Sequence, residues 1–213
     1  MKIIFDVDGT LFNAGTVALP AFQAVLKHYN QQIPSDSVLL NTLGYPIVEI
    51  WEMLLPGMGK ERHTEASALM NDFEERLMYE GKGELFPEVK NTLTQLFEQG
   101  HELYTLSNCD EPYLHTVIEV FNLKPLFKGL HCAGMYPGET KAQILKRILQ
   151  GDSKALMVGD RFHDIEAGVV NNIPTVWCNY GFSQQAEIKN QDYTVSSFGK
   201  ILEIVHNLSN QKE

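Results

Sequence analysis

The chain is poor in cysteine and in positive charge, and it has no long hydrophobic run. Its three cysteines, Cys109, Cys132 and Cys178, form neither an even set nor a CxxC pair. A disulfide framework and a zinc knuckle are therefore not indicated, and the thiols read as small buried hydrophobes in a reducing cytoplasm. Lysine and arginine total 17 against 27 aspartates and glutamates, giving a net charge of −10. Such a field repels nucleic-acid backbones and anionic membrane surfaces, so neither is expected as a partner, and an anionic substrate would need a local cation. No apolar stretch approaches the ~20 residues of a membrane-spanning helix. Asp6 cuts off Ile3-Ile4-Phe5, so the opening segment does not read as a signal peptide. Internal repeats and low-complexity segments are absent as well.

What remains is an ordinary globular mixture, 44% hydrophobic and 21% charged over 213 residues. That excludes disorder, collagen and coiled coil as whole-chain descriptions. A chain of this length buries ~70% of its unfolded surface and needs no covalent staple.

Residues 2–7 read as a short buried strand with a polar end, followed by a loop of turn formers up to Thr16. From 17 to 80 the pattern is helical throughout. Phe22, Val25, Leu26 and Tyr29 share one helical face, as do Ile47, Ile50, Trp51 and Leu54 behind Pro46, and Leu69, Met70, Phe73 and Leu77. Glycine-bearing stretches at 13–16 and 81–83 bracket this helical run like a pair of hinges. After residue 84 helix and strand alternate: strands are expected at 103–106, 129–132, 155–158, 175–178 and 193–195. Helices lie between them, one opened by Pro87 and closed by Gly100, the last carrying Ile201 to Leu208. Short apolar strands alternating with helices predict an α/β fold, a mainly parallel sheet covered on both faces.

Ligands of such sheets bind beyond the carboxyl ends of the strands. Polar clusters fall at that edge: Asp6 and Asp8 after the first strand, Ser107 and Asn108 after the second, Asp160 and Asp164 after the fourth. Asp6-Val7-Asp8-Gly9-Thr10 sets two carboxylates at the end of an apolar strand, where burial without a partner is costly. A divalent cation or a shared proton relieves their repulsion, and Mg²⁺ suits hard oxygen ligands completed by a substrate phosphate. In Gly159-Asp160-Arg161-Phe162-His163-Asp164 the second acid follows four residues after the first, and either aspartate could be a helix cap or a metal ligand.

Together these residues resemble the haloacid dehalogenase (HAD) superfamily of phosphohydrolases. Its DxDGT motif stands here as Asp6 to Thr10, its strand-end Ser or Thr as Ser107 in Leu106-Ser107-Asn108, its lone lysine as Lys141, and its GDxxxD motif as Gly159 to Asp164. The motifs come in family order across essentially the whole chain, and DxDGT alone is a ~10⁻⁵ coincidence at a given position on average composition. The resemblance implies a Rossmann-like three-layer core, residues 1–13 and 83–213, with residues 14–82 as an inserted α-helical cap. That cap looks like the type 1 cap of phosphoglycolate phosphatases and β-phosphoglucomutases.

The resemblance also implies roles. Asp6 is the expected nucleophile and Asp8 the general acid and base. Mg²⁺ is expected on Asp6, the Asp8 main-chain carbonyl, Asp160 and Asp164. Ser107, Asn108 and Lys141 are expected to hold the phosphoryl oxygens. Lys128, Lys146 and Lys154 are the competing lysines, with surface exposure their default. Lys60, Arg62 and Arg76 of the insert are candidates to meet an anionic substrate, although a solvated cap surface is the default for them also. Trp51 and Met53 read as packing, and His163 as a rim histidine.

The expected activity is thus a cytoplasmic, Mg²⁺-dependent phosphatase of a small phosphorylated metabolite, as monomer or homodimer. Phosphoglycolate, sugar phosphates, pyrophosphate and nucleoside monophosphates all fit. A sugar-phosphate mutase shares every motif and is the alternative, a non-catalytic module of the same fold a further one. A dehalogenase is disfavoured, because Asp8 has no role in displacing halogen.

Overall fold

The computed structural model describes residues 1–210. Six strands form one parallel sheet: Lys2–Phe5 (β1), Glu102–Thr105 (β2), Phe127–Gly129 (β3), Ala155–Gly159 (β4), Thr175–Cys178 (β5) and Tyr193–Val195 (β6). Their spatial order is β3-β2-β1-β4-β5-β6. The chain builds outward from β1 to β3, then returns to lay β4 on the other side of β1. The crevice between β1 and β4 is therefore the topological switch point, where α/β sheets bind ligands.

The α/β expectation from the alternating pattern is met, and the sheet is covered on both faces. Ile3 and Phe5 point to one face and Ile4 to the other, the two-residue period of a strand. The Ile3 face packs against Val89–Glu98 (α5) and Ile201–Asn210 (α9) through Leu93, Leu96, Ile201 and Val205. The Ile4 face packs against Lys141–Leu149 (α7) and Phe162–Val170 (α8) through Ile144, Leu145 and Ala167. All five residues of β4 are buried, as a central parallel strand requires.

Between β1 and α5 lie four helices outside the sheet layers: Gly15–His28 (α1), Asp36–Leu40 (α2), Ile47–Leu54 (α3) and Gly59–Tyr79 (α4). The run expected to be helical from 17 to 80 is thus broken by non-helical turns at 31–35, 41–46 and 55–58. Its apolar stripes meet in the insert's interior, where the Phe22 and Trp51 rings pack edge to face at 5.9 Å. Trp51 is a packing residue, and its indole N–H donates to Ser67 Oγ at 2.9 Å. Met53, also read as packing, faces solvent instead. Glu111–Val120 (α6), which follows β2, packs against α4 and ties the insert to the sheet layers.

Several boundaries differ from the sequence reading, and the first strand, expected over 2–7, ends at Phe5. The helix after Pro87 starts only at Val89, because Glu88 takes a left-handed conformation with φ 68°. The strand expected at 129–132 lies instead at 127–129, with a bulge at Lys128. Beyond it the Thr105 hydroxyl donates to the His131 carbonyl and accepts from its N–H, and backbone pairing is reduced to a single bridge between Ser107 and Cys132.

Candidate active site

Phe5 pairs in register with Thr105 on one side and Val158 on the other. The three strands consequently end at one level, and their next residues emerge side by side. Asp6 directly follows β1, Ser107 is the second residue after β2 and Asp160 directly follows β4, and all three are buried.

Asp6, Asp160 and Asp164 bring a carboxylate oxygen each to within 4.8 Å of one another. Asp6 Oδ2 and Asp160 Oδ1 are buried without a hydrogen-bond partner. Lys141, the first residue of α7, places Nζ 2.7 Å from Asp6 Oδ1 and 2.5 Å from Asp164 Oδ1. Of the lysines weighed from sequence this is the one brought here. Lys128 pairs with Glu102 at the surface, and Lys146 and Lys154 are exposed. Thr140 caps α7 by accepting from Gln143 N–H, which fixes where the helix starts and so where Lys141 projects.

The two readings open for Asp160 separate here. Helix α8 begins at Phe162, and Asp164 Oδ2 closes its first turn by accepting from the Arg161 N–H at 2.9 Å. Asp164 therefore caps with one oxygen and faces Lys141 with the other. Asp160 precedes the helix and caps nothing; its Oδ2 accepts from the Phe182 N–H at 2.7 Å. Gly9 and Gly181 lie against it so closely that a Cβ would come within 2.3 and 2.4 Å of the Asp160 side chain.

Burial dominates the electrostatics. It pushes the Asp6 carboxyl up to about 8, opposed by Lys141 and reinforced by Asp164 and Asp8. Asp160 is raised well above its ordinary value, by burial first and then by Asp6 and Asp164. Burial also opposes the Lys141 ammonium, yet Asp164 and Asp6 outweigh it and hold that proton more tightly than usual. Were all three carboxylates ionised, they would exceed the one ammonium by two negative charges in a desolvated pocket, which is why Asp6 and Asp160 hold protons so firmly. Hard oxygen donors, two of them orphaned, with that charge deficit fit a divalent cation such as Mg²⁺.

Asp8 stands apart from the carboxylate cluster. Its Oδ1 accepts from the Tyr113 hydroxyl of α6 at 2.7 Å, and Asp8 lines a cavity that Leu43, Ile47, Ile50 and Met70 of the insert also line. Burial raises its carboxyl to about 6, with Tyr113 and Lys141 opposing. Ser107 is buried beside it, and the Asn108 amide donates to the Gly44 carbonyl of the insert at 2.9 Å. A second contact closes the same seam: Tyr45 lies over the Arg161 guanidinium at 4.3 Å and meets the His163 ring edge to face at 5.5 Å. Burial, then Lys141, lowers His163 to about 4, so this rim imidazole is neutral at pH 7.

Lys60, Arg62 and Arg76 are exposed on α4, and Arg76 pairs with Glu80 in the next turn. None of them faces the strand ends. Tyr113, Glu74 and the Gly181–Phe182 turn escaped sequence reading. Tyr113 was hidden among the apolar positions of α6, and Glu74 on a helix rich in charge. Only Gly181, three residues beyond β5, carried a legible turn signal.

A family model described as haloacid dehalogenase-like hydrolase matches residues 3–178. A 5'-nucleotidase from Pseudomonas aeruginosa is 25% identical over 195 residues, covering 88% of this chain and 86% of its own. A phosphoglycolate phosphatase from Aquifex aeolicus is 26% identical over 213 residues, 96% of each chain. The fold is similar to the crystal structure of a predicted phosphatase from Clostridium acetobutylicum, with a TM-score of 0.85 at 21% identity, covering 97% of this chain and 98% of that one.

Proposed function

The chain belongs to the haloacid dehalogenase-like hydrolases, and from that premise we propose that it is a Mg²⁺-dependent phosphatase of small phosphate monoesters. The observation that carries this reading is the buried cluster of Asp6, Asp160 and Asp164, braced by Lys141 and holding two oxygens without a partner. A divalent cation bound by these carboxylates and the Asp8 main-chain carbonyl would neutralise charge on the transferring phosphoryl group.

Asp6 attacks phosphorus in line, and the bond to the leaving oxygen breaks to give an aspartyl-phosphate. Lys141, on one Asp6 oxygen, orients that carboxylate. Together with Ser107 and the Asn108 backbone it also holds the equatorial phosphoryl oxygens. Asp8 gives its proton to the leaving oxygen and then takes one from the water that hydrolyses the intermediate. A carboxyl poised at about 6 can do both near neutral pH. Tyr113 fixes one Asp8 oxygen, leaving the other to face the leaving group. The helices from 15 to 79 act as the cap, whose seam on Asn108 and Arg161 excludes water from the strand ends.

The test is a panel of phosphate esters with and without Mg²⁺, with Asp6→Asn in parallel. Metal-dependent phosphate release is expected from at least one ester, and its near-abolition in the variant. Unchanged turnover in Asp6→Asn would overturn the nucleophile. Isomerised sugar phosphate in place of free phosphate would overturn hydrolysis in favour of phosphoryl transfer.

A further inference from the structure

On the insert side of Asp8 there is a cavity of about 50 Å³ that opens to solvent, room for roughly three to five water-sized groups. A leaving group at Asp8 would sit there. Its core wall carries Asp8, Ser107, Asn108 and Tyr113; its cap wall is apolar through Ile47, Ile50 and Met70, with Asn71 and Glu74 beside them.

No lysine, arginine or histidine lines this cavity among the described residues. The nearby cations are engaged elsewhere. Arg161 is buried beneath Tyr45 and paired with Glu187 at 3.2 Å, and His63 is bonded to the Leu55 carbonyl at 3.0 Å. Lys141 serves Asp6 and Asp164. What the cavity does hold is two further acids, Asp110 at its core side and Glu74 at its cap side. Glu74 is only 4% exposed, lines the space, and has no hydrogen-bond or ion-pair partner among the described residues. Burial and Asp8 both raise its carboxyl well above the ordinary value.

A buried carboxyl without a partner is costly, and a ligand donor is what would satisfy it. A carboxylate or second phosphate on the leaving group would meet the opposite: three acids (Asp8, Glu74 and Asp110), an apolar wall and no counter-charge. We infer that this hydrolase selects a short phosphate ester whose alcohol carries no negative charge and offers a hydroxyl or ammonium donor to Glu74. The inference rests on the phosphatase reading above and sets Glu74 as a specificity-determining residue, with discrimination arising from desolvated charge.

The experiment compares three esters with leaving groups of similar size: glycerol 3-phosphate, ethanolamine phosphate and 2-phosphoglycolate. p-Nitrophenyl phosphate serves as the reference for phosphatase activity. At least one donor-bearing ester is expected to exceed phosphoglycolate in kcat/KM by about tenfold or more. Which of the two leads identifies hydroxyl or ammonium as the donor. In Glu74→Lys the kcat/KM ratio of phosphoglycolate to the preferred ester is expected to rise by about tenfold, chiefly through KM. The near-isosteric Glu74→Gln reads the same ratio in a variant with no new charge to bury. Phosphoglycolate cleaved as well as or better than both donor-bearing esters, or neither of these cleaved, overturns the inference while p-nitrophenyl phosphate turnover leaves the phosphatase reading intact. A ratio unmoved in both variants overturns the role of Glu74. No phosphate release from any of the four esters overturns the phosphatase reading and this inference with it.

Discussion

Tyr113→Phe isolates one hydrogen bond on the proposed acid. The Tyr113 hydroxyl donates to Asp8 Oδ1 at 2.7 Å inside a buried pocket, and it stabilises the ionised carboxylate, holding the pKa down against burial. Hydrogen bonds to charged groups contribute ~1.5–3 kcal/mol, and one pKa unit is about 1.4 kcal/mol. Removing the hydroxyl therefore moves Asp8 from about 6 upward by roughly one to two units. Because the first step needs Asp8 protonated, kcat/KM falls as pH rises through this pKa, and the variant shifts that alkaline limb to higher pH. The assay is kcat/KM against pH for an alkyl phosphate and for p-nitrophenyl phosphate, whose good leaving group needs little protonation. The limb is expected to move for the alkyl ester and to be weak or absent for the aryl one. An alkyl-ester limb that stays in place in Tyr113→Phe, or one that moves equally for both esters, would refute the assignment of Asp8 as acid.

Metal affinity is expected to be proton-linked. Asp6 is raised to about 8 in the folded chain against 3.8 ordinarily, so between those values the folded metal-free protein holds more protons than the unfolded one, and its stability falls as pH rises. Mg²⁺ must displace such protons, so its Kd falls by about tenfold per pH unit for each proton released. The Mg²⁺-induced rise in Tm should grow from pH 6 to pH 8 and shrink sharply in Asp160→Asn. An equal or larger rise at pH 6 would contradict the linkage. Gly181→Ala inserts a methyl 2.4 Å from Asp160. Overpacking of this kind costs ~1–3 kcal/mol, and the displaced carboxylate should weaken Mg²⁺ binding as well. Calorimetry showing both Tm and Mg²⁺ affinity unchanged would rule out the tight seating of Asp160.

The strand ends were legible because short apolar runs announce buried parallel strands and the polar residues following them must surface at the sheet's carboxyl edge. Ile3-Ile4-Phe5 before Asp6 and Ala155 to Val158 before Gly159-Asp160 each carried that information within a few residues. Helix boundaries in the insert were less legible, since apolar stripes persist across turns such as 41–46 that are themselves half-buried.

Sequence by itself determined the fold class and the set of acids at the rim, because strand polarity and the two-residue period are local properties of the chain. The tertiary structure decided everything that depends on distant segments meeting. It chose Lys141 for Asp6 across 135 residues and Tyr113 for Asp8 across 105. It separated Asp160 from the helix cap, turned Lys60, Arg62 and Arg76 outward, and turned Glu74 inward. Which face of the charged helix α4 turns inward is set by its packing on α1 and α6, a non-local balance of buried area that no spacing along α4 encodes.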